Sequence, residues 1–87
     1  MQSNQEAFPV DSTISVINGE TIYKNNNWWL AVILANTFGH NKILIYQWRF
    51  DKTSNKWKRK QKLSINFSKD WEKMKPIIER YIKEANI

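Results

Sequence analysis

The sequence predicts an α+β domain: a curved antiparallel sheet of four to five strands, followed by one C-terminal helix packed on one face of the sheet. As far as Phe67, the chain consists of alternating or β-branched stretches separated by short polar turns, a pattern typical of strands. After Ser68 the apolar residues recur at spacings of three and four, which is typical of one amphipathic helix. Because strands come first and a helix last, the order favours α+β.

The strands follow from turn residues and periodicity. Asn18-Gly19 is a strong signal for a two-residue type I′ hairpin, because both residues tolerate positive φ. Gly39 to Asn41 predicts a second turn, and the polar stretch 51–56 predicts a loop. The predicted strands cover residues 13–17, 20–23, 28–38, 42–50 and 57–67.

The pairing of these strands predicts which residues share a face. Closing loop 51–56 with Phe50 opposite Trp57 places Arg49 opposite Lys58 and Gln47 opposite Lys60. A turn at 39–41 places Thr37 opposite Ile43, although a slip of one residue would exchange the faces. The predicted core face, under the helix, then carries Trp28, Leu30, Val32, Leu34, Leu44, Tyr46 and Trp48. The predicted outer face carries Trp29, Ala31, Ile33 and Ala35 with the cations Arg49, Lys58, Lys60 and Lys62.

The helix is predicted from Ser68, a plausible N-cap, with Asp70 in the first turn, where a carboxylate meets the positive helix end. Its apolar stripe keeps its phase across Pro76, which predicts a kinked or restarted helix. The stripe consists of Trp71, Met74, Ile78, Tyr81, Ile82 and Ala85.

Length and composition limit the function classes. A chain of 87 residues is one domain with a small core, so we expect a homodimer. Residues 1–12 are polar and predict a flexible N-terminal segment, and residues 13–87 form the predicted binding domain. The absence of cysteine excludes disulfides and thiolate metal sites. The longest apolar run, 28–34, falls far short of a bilayer span, so a cytoplasmic protein without a membrane contact is expected.

The charge is concentrated in the second half of the chain. The formal net charge is +6, and thirteen of the fourteen Lys and Arg residues lie from Lys42 onward. Residues 56–62 read KWKRKQK, five cations around a tryptophan. Such a patch attracts polyanions, such as nucleic acid or an acidic membrane surface. A solvated, Lys-rich face that keeps the protein soluble is the simpler interpretation.

Cations and aromatic side chains on one sheet are what single strands require, because cations neutralise phosphates and every base can stack. Duplexes need exposed indoles only when a wedge enters the minor groove. The alternative interpretation is that the same tryptophans only pack in the core or at the hairpin ends. The predicted nucleic-acid-binding residues are Trp29, Trp48, Arg49, Lys56, Trp57, Lys58, Arg59, Lys60 and Lys62.

The C-terminal half resembles the single-stranded-DNA-binding domain of the transcriptional positive cofactor 4 family. In that family an Ile-x-Ile strand with a terminal aromatic leads to a Lys-rich strand, a Ser-containing strand and a Trp-bearing helix. The matching positions are Ile43, Ile45, Trp48, Lys58, Lys60, Lys62, Ser64, Ile65, Phe67 and Trp71. The resemblance implies a four-stranded curved sheet plus helix, dimerisation and single-strand binding on the basic surface. The archaeal ThermoDBP-related single-stranded-DNA-binding proteins are a second similar type and imply the same ligand.

The side chains that catalysis and metal binding most often use are scarce in this sequence. His40 is the only histidine and there is no cysteine, so we expect neither an enzyme nor a metal or other cofactor. Gly-rich phosphate loops are absent, and no small-molecule substrate is expected. The alternatives are a chromatin-type duplex-binding protein, an RNA-binding protein and an interaction module with an acidic protein partner. The expected function is binding of single-stranded nucleic acid, with DNA as the first candidate and little sequence specificity, in transcription, replication or repair. No residue identifies a contact with the 2′-hydroxyl that would separate RNA from DNA. A protein that binds single-stranded DNA is expected to be nucleoid-associated.

Overall fold

The computed structural model describes residues 7–87 and contains four strands and one helix. The strands form one antiparallel sheet in the order β1-β2-β3-β4, so each strand pairs with its neighbour in sequence. This architecture confirms the predicted α+β class. The elements are β1 (Ser15–Lys24), β2 (Trp28–Thr37), β3 (His40–Asp51), β4 (Lys56–Ile65) and α1 (Ser68–Ala85).

The sheet has four strands because Asn18-Gly19 does not form the predicted hairpin. Both residues lie inside β1, which pairs with β2 along its length and has irregularities after Val16 and after Thr21. Gly19 instead allows the ring of Phe8 to approach the sheet closely. A Cβ atom at this position would lie 2.7 Å from the ring of Phe8, so the missing side chain makes room for that ring.

The turn between β2 and β3 is shorter than predicted. Thr37 pairs with His40, so Phe38 and Gly39 alone connect the strands, with φ values of 52° and 83°. Two positive φ values are what a type I′ turn requires. Phe38 is an uncommon residue for that conformation, which is why the sequence favours a turn one residue later. The predicted pairing of Thr37 with Ile43 is wrong by three positions.

A shift by an odd number of residues exchanges the two faces of β2. We call the buried side the strap face; its core residues are Trp29, Ala31, Ile33, Ala35, Leu44, Tyr46 and Trp48. The prediction is therefore correct for the three residues of β3 and wrong for β2. The other side, the open face, carries Trp28, Leu30, Val32 and Leu34, which are half-buried or exposed.

The strap face is covered by the segment before β1, which we call the strap (residues 7–14). Phe8, Val10 and Ile14 pack against the core cluster. The sequence predicts a flexible segment over residues 1–12, but the structure places Phe8 and Val10 of that segment against the sheet. The remainder of it, residues 1–6, lies outside the described residues. The strap thus occupies the position that the sequence assigns to the helix.

A β-bulge divides β4. Phe50 pairs with Trp57 and Arg49 with Lys58, as predicted, but Gln47 pairs with Gln61 because one extra residue is accommodated between Arg59 and Gln61. A bulge of this kind changes which face the following side chains take. Lys58 therefore lies on the open face, whereas Arg59 and Lys62 lie on the strap face, opposite Trp48 and Tyr46. The prediction of one face shared by Lys58, Lys60 and Lys62 is wrong.

Helix α1 is continuous through Pro76 and carries Asp70 in its first turn. The N-cap residue is Phe67 rather than Ser68, and no side chain in the described part of the chain caps the first turn. The helix contacts only β4 among the strands, and none of its residues is buried. Within one copy of the chain, α1 therefore covers neither face of the sheet.

The exchange of faces predicts different roles for the two neighbouring tryptophans of β2. Trp29 is 2% exposed and packs in the core, whereas Trp28 is half-buried on the open face. Trp29→Ala should lower the free energy of unfolding by about 3–5 kcal/mol, as expected for a large-to-small change in a core. Trp28→Ala should lower it by about 1 kcal/mol. Chemical denaturation of both variants measures the difference, and equal losses would contradict the assigned faces.

Candidate functional site

The cations of the β3–β4 hairpin lie on both sides of an edge strand. β4 is the last strand of the sheet, and its bulge distributes its cations between the open face and the strap face. We call this positively charged border the basic edge; it comprises Arg49, Lys52, Lys56, Lys58, Arg59, Lys60 and Lys62. Asp51 is the one carboxylate in the same stretch of sequence. A strongly positive potential along the edge follows.

On the open face, the basic edge borders a cavity of about 540 Å³, which we call the cup. Four cations and one carboxylate line it, so its wall is positively charged. It forms where the start of β2, the end of β3 and the start of β4 meet. The cup residues are Asn27, Trp28, Arg49, Phe50, Asp51, Lys52, Thr53, Lys58 and Lys60.

Trp28 is the indole of the cup. It starts β2 after a turn in which the side chain of Asn25 accepts hydrogen bonds from the backbone N–H groups of Asn27 and Trp28, at 2.9 and 2.8 Å. The guanidinium of Arg49, its partner in the ladder, lies 5.3 Å from the ring centroid, within cation–π range. The cup therefore presents an aromatic ring and a planar cation side by side.

Asp51 organises the loop that borders the cup. Its carboxylate accepts hydrogen bonds from the Ser54 hydroxyl and the Thr53 backbone N–H, both at 3.0 Å, and forms an ion pair with Lys58 at 3.2 Å. The Ser54 hydrogen bond, followed by those from Lys58 and Thr53, lowers the pKa of Asp51 below its ordinary value. The carboxylate thus holds Lys58 at the cup while offsetting part of its charge.

A second cavity, also of about 540 Å³, lies on the strap face between the strap and the sheet; we call it the groove. Its sheet side carries Lys42, Arg59 and Lys62 above Tyr46, and Lys62 Nζ lies 5.7 Å from the Tyr46 ring centroid. Its strap side carries Asp11. Hydrogen bonds from the backbone and hydroxyl of Thr13, and then the charge of Lys62, lower the pKa of Asp11.

Beside the groove lies a cluster of aromatic rings centred on Trp29 and Trp48. Trp29 lies 4.8 Å from Trp48, and Tyr46 stacks on Trp48 at 5.1 Å with 6° between the planes. Trp57 meets Trp29 edge-on at 5.5 Å, and Phe8 of the strap completes the cluster. Such ring pairs each contribute about 0.5–1.5 kcal/mol beyond their buried area.

The two central indoles differ in their hydrogen bonding. Trp29 Nε1 donates to Thr21 Oγ1 at 2.9 Å. Trp48 Nε1 is buried and has no hydrogen-bond partner among residues 7–87. An unsatisfied buried donor costs about 1–3 kcal/mol, so the cluster keeps a polar group that stability alone does not explain.

The structure separates the six predicted binding cations into three groups. Arg49, Lys58 and Lys60 line the cup, and Arg59 and Lys62 line the groove. Lys56 is exposed at the start of β4, opposite Asp51.

The three predicted stacking tryptophans lie in the aromatic cluster: Trp29 and Trp48 are buried, and Trp57 is half-buried. None of them is an exposed platform for a base. The sequence reasoning missed Trp28, because the assumed β2–β3 pairing placed it in the core. It also missed Lys52 and Lys42, which the same concentration of charge could have indicated.

Among residues 7–87, no group of three or more His, Cys, Asp or Glu side chains is placed to hold a metal ion. None of the described helical residues forms a segment long and apolar enough to cross a membrane.

Comparison of the chain with protein-family models, with curated proteins and with solved structures gives no significant match. The resemblance to the positive cofactor 4 family therefore stays a prediction.

The hydrogen bonds of Asp51 predict the pH response of the β3–β4 loop. A lowered pKa means that the ionised carboxylate stabilises the folded loop above the pKa of unfolded Asp, and that this contribution is lost as the pH falls through the folded pKa. Ser54→Ala removes the largest cause and should raise the pKa towards that of an ordinary aspartate. NMR titration of the side-chain carboxyl measures it. Ser64→Ala, whose hydroxyl bonds Asn66 instead, should leave the Asp51 pKa unchanged.

Proposed function

We propose that the protein binds single-stranded nucleic acid, with single-stranded DNA as the first candidate, and has little sequence specificity. The observation that carries this proposal is the cup, where Trp28 and the Arg49 guanidinium stand among the ammonium groups of Lys52, Lys58 and Lys60. Cations neutralise phosphates and the indole offers a face to a base. Because every base has such a face, the arrangement favours tolerance of sequence.

The position of the cup favours a single strand over a duplex. In a duplex the bases are stacked inside, so the basic edge would contact phosphates alone and Trp28 would have no base to meet. A single strand can turn its bases towards the cup while its backbone follows the lysines. Duplex binding through the same lysines remains the alternative, and so does binding of an acidic protein.

A Lys-rich edge strand also has a simpler use, because charges on an edge prevent pairing with another sheet. That use explains the lysines of β4 but does not require an indole beside an arginine in an open cavity. The cup therefore argues for a ligand. The resemblance of residues 43–71 to the positive cofactor 4 family points to the same one. On this proposal the protein serves transcription, replication or repair at the nucleoid.

Salt dependence and two variants test the cup. Binding of fluorescein-labelled oligo-dT should weaken with salt. Lys58→Gln with Lys60→Gln should flatten the slope of log K against log[salt] by about 1.4, because each phosphate of a single strand that a lysine neutralises adds about 0.7 to that slope. Trp28→Ala should weaken binding by about 1–3 kcal/mol, the usual size of one stacking interaction. Fluorescence anisotropy measures both.

Lys73→Gln with Lys75→Gln is the matched control, since it removes the same charge from α1, away from the cup. It should leave the slope nearly unchanged. Competition with oligo-U and with duplex DNA at fixed salt then ranks RNA and duplexes against oligo-dT. Stronger competition by the duplex, or equal slopes for the two double variants, would refute the proposal.

We also propose that the protein is a symmetric homodimer. Among the described residues, nothing buries the apolar stripe of α1, and apolar side chains on the open face of the sheet stay partly or fully exposed. Contiguous exposed apolar surfaces of this kind mark interfaces. The exposed apolar side chains of the open face and of α1 include Leu34, Leu63, Trp71, Ile77, Ile78, Tyr81 and Ile82.

A second copy accounts for both surfaces at once. In a symmetric pair the same patch appears on each partner, so a helix stripe and an apolar sheet face of one copy can each meet the other copy. Domains of this size bury only about 60% of their unfolded surface, so added burial is a substantial gain in stability.

Charge placed in the stripe tests the dimer. Ile78 is 43% exposed in one copy, so Ile78→Glu should leave the fold intact while dispersing the dimer into monomers. Lys73→Glu, which introduces the same side chain on the polar side of α1, should remain dimeric. Light scattering measures the mass of each. A monomeric wild-type protein at high micromolar concentration would contradict the dimer.

A further inference from the structure

The strap face combines the same chemical groups as the cup. Lys42, Arg59 and Lys62 border the groove, and the aromatic cluster lies beside it. The cluster holds the unpartnered N–H of Trp48, a donor that a bound molecule could use. The strap face therefore has cations, rings and a free donor, but the strap lies over them.

The strap presents to this surface the two groups that a nucleotide would present. The Phe8 ring stacks on Trp48 with centroids 6.2 Å apart and 20° between the planes, and lies 5.6 Å from Trp29. Asp11 brings a carboxylate to the groove, which Lys62 also lines, and this carboxylate accepts hydrogen bonds from the backbone N–H and the hydroxyl of Thr13. An aromatic ring and an anion thus occupy a surface suited to a base and a phosphate.

The attachment of the strap suits a segment that can be displaced. Among the described residues, each hydrogen bond of the strap has both its donor and its acceptor within the strap. The Val10 N–H donates to the Phe8 carbonyl, the Ile14 N–H donates to the Asp11 carbonyl, and Thr13 donates to the Asp11 carboxylate. Ring and apolar contacts hold it to the sheet. A base that stacks on the same rings would replace the contacts of Phe8 without breaking a strand ladder.

We infer that the strap covers a second binding site for single-stranded nucleic acid on the strap face, and that a bound strand displaces the strap. In the free protein, Phe8 takes the place of a base and Asp11 takes the place of a phosphate. The inference rests on the proposed function. The bulge of β4 supports it, because Lys58 and Lys60 lie at the cup and Arg59 and Lys62 at the groove. A strand that follows the basic edge passes from one cavity to the other.

Fluorine NMR of the full chain tests the displacement directly. With 4-fluorophenylalanine at the four phenylalanines, the Phe8 signal is assigned by its loss in Phe8→Leu. In the free protein the rings of Trp29 and Trp48 should shift this signal away from that of Phe38, which is 83% exposed. Saturation with oligo-dT should move it towards the Phe38 position. A Phe8 signal that stays unchanged at saturation would overturn the inference.

Affinity gives a second test. Gly19→Ala places a methyl group against the far end of the Phe8 ring, and so should loosen the strap without changing its charge or its ring. If the strap covers the second site in most molecules of the free protein, loosening the strap should raise the affinity for oligo-dT about threefold to tenfold. Phe8→Ala should act in the same direction. Phe38→Ala removes an equal ring from an exposed turn and should have no effect.

The outcomes separate the two proposals. If the wild-type protein and all variants fail to bind oligo-dT, the proposed function fails and this inference with it. If the protein binds while Gly19→Ala and Phe8→Ala leave affinity equal or lower it, the strap inference alone fails. Circular dichroism checks that each variant is folded, and Phe8→Leu replaces Phe8→Ala if the smaller side chain destabilises the sheet too far.

Discussion

The pairing of Thr37 with His40, across a turn of only Phe38 and Gly39, is the constraint on which the rest of the molecule depends. Side chains alternate along a strand, so this pairing alone decides that Trp29 enters the core and that Trp28 reaches the open face. A turn longer by one residue on the same strands would reverse those positions. A positive φ at an aromatic residue, Phe38, therefore accompanies the pairing that determines which of the two indoles is buried.

The bulge in β4 is the second such constraint. Without it, every second residue from Lys58 onward would share the open face, and like charges would stand side by side on one surface. With it, the cations divide between the cup and the groove, and both sides of the edge become positive. This division reduces the repulsion between neighbouring cations on one face, and charges on an edge strand disfavour its pairing with another sheet.

The two faces of the sheet differ in how they are covered. The strap supplies Phe8, Val10 and Ile14 to the strap face, where Gly19 leaves room for the Phe8 ring. On the open face the apolar side chains of β2 and β3 have no comparable cover, and α1 extends from β4 without burying any of its residues. Within the described residues, the chain thus covers one side of its sheet by itself and leaves apolar side chains exposed on the other. Both proposals, the dimer and the displacement of the strap, depend on this limited cover of a small sheet.

Local pattern and composition were enough to predict the strand and helix periods, the β3–β4 pairing at Phe50 and Trp57, the concentration of cations after Lys42, and hence the fold class and the candidate ligand. The face that each strand presents could be read only from the folded chain, because an odd shift in one turn and one inserted residue in β4 exchange faces without altering the pattern. The same holds for the role of Phe8, since no local signal in a polar segment predicts a ring that packs against Trp29 and Trp48.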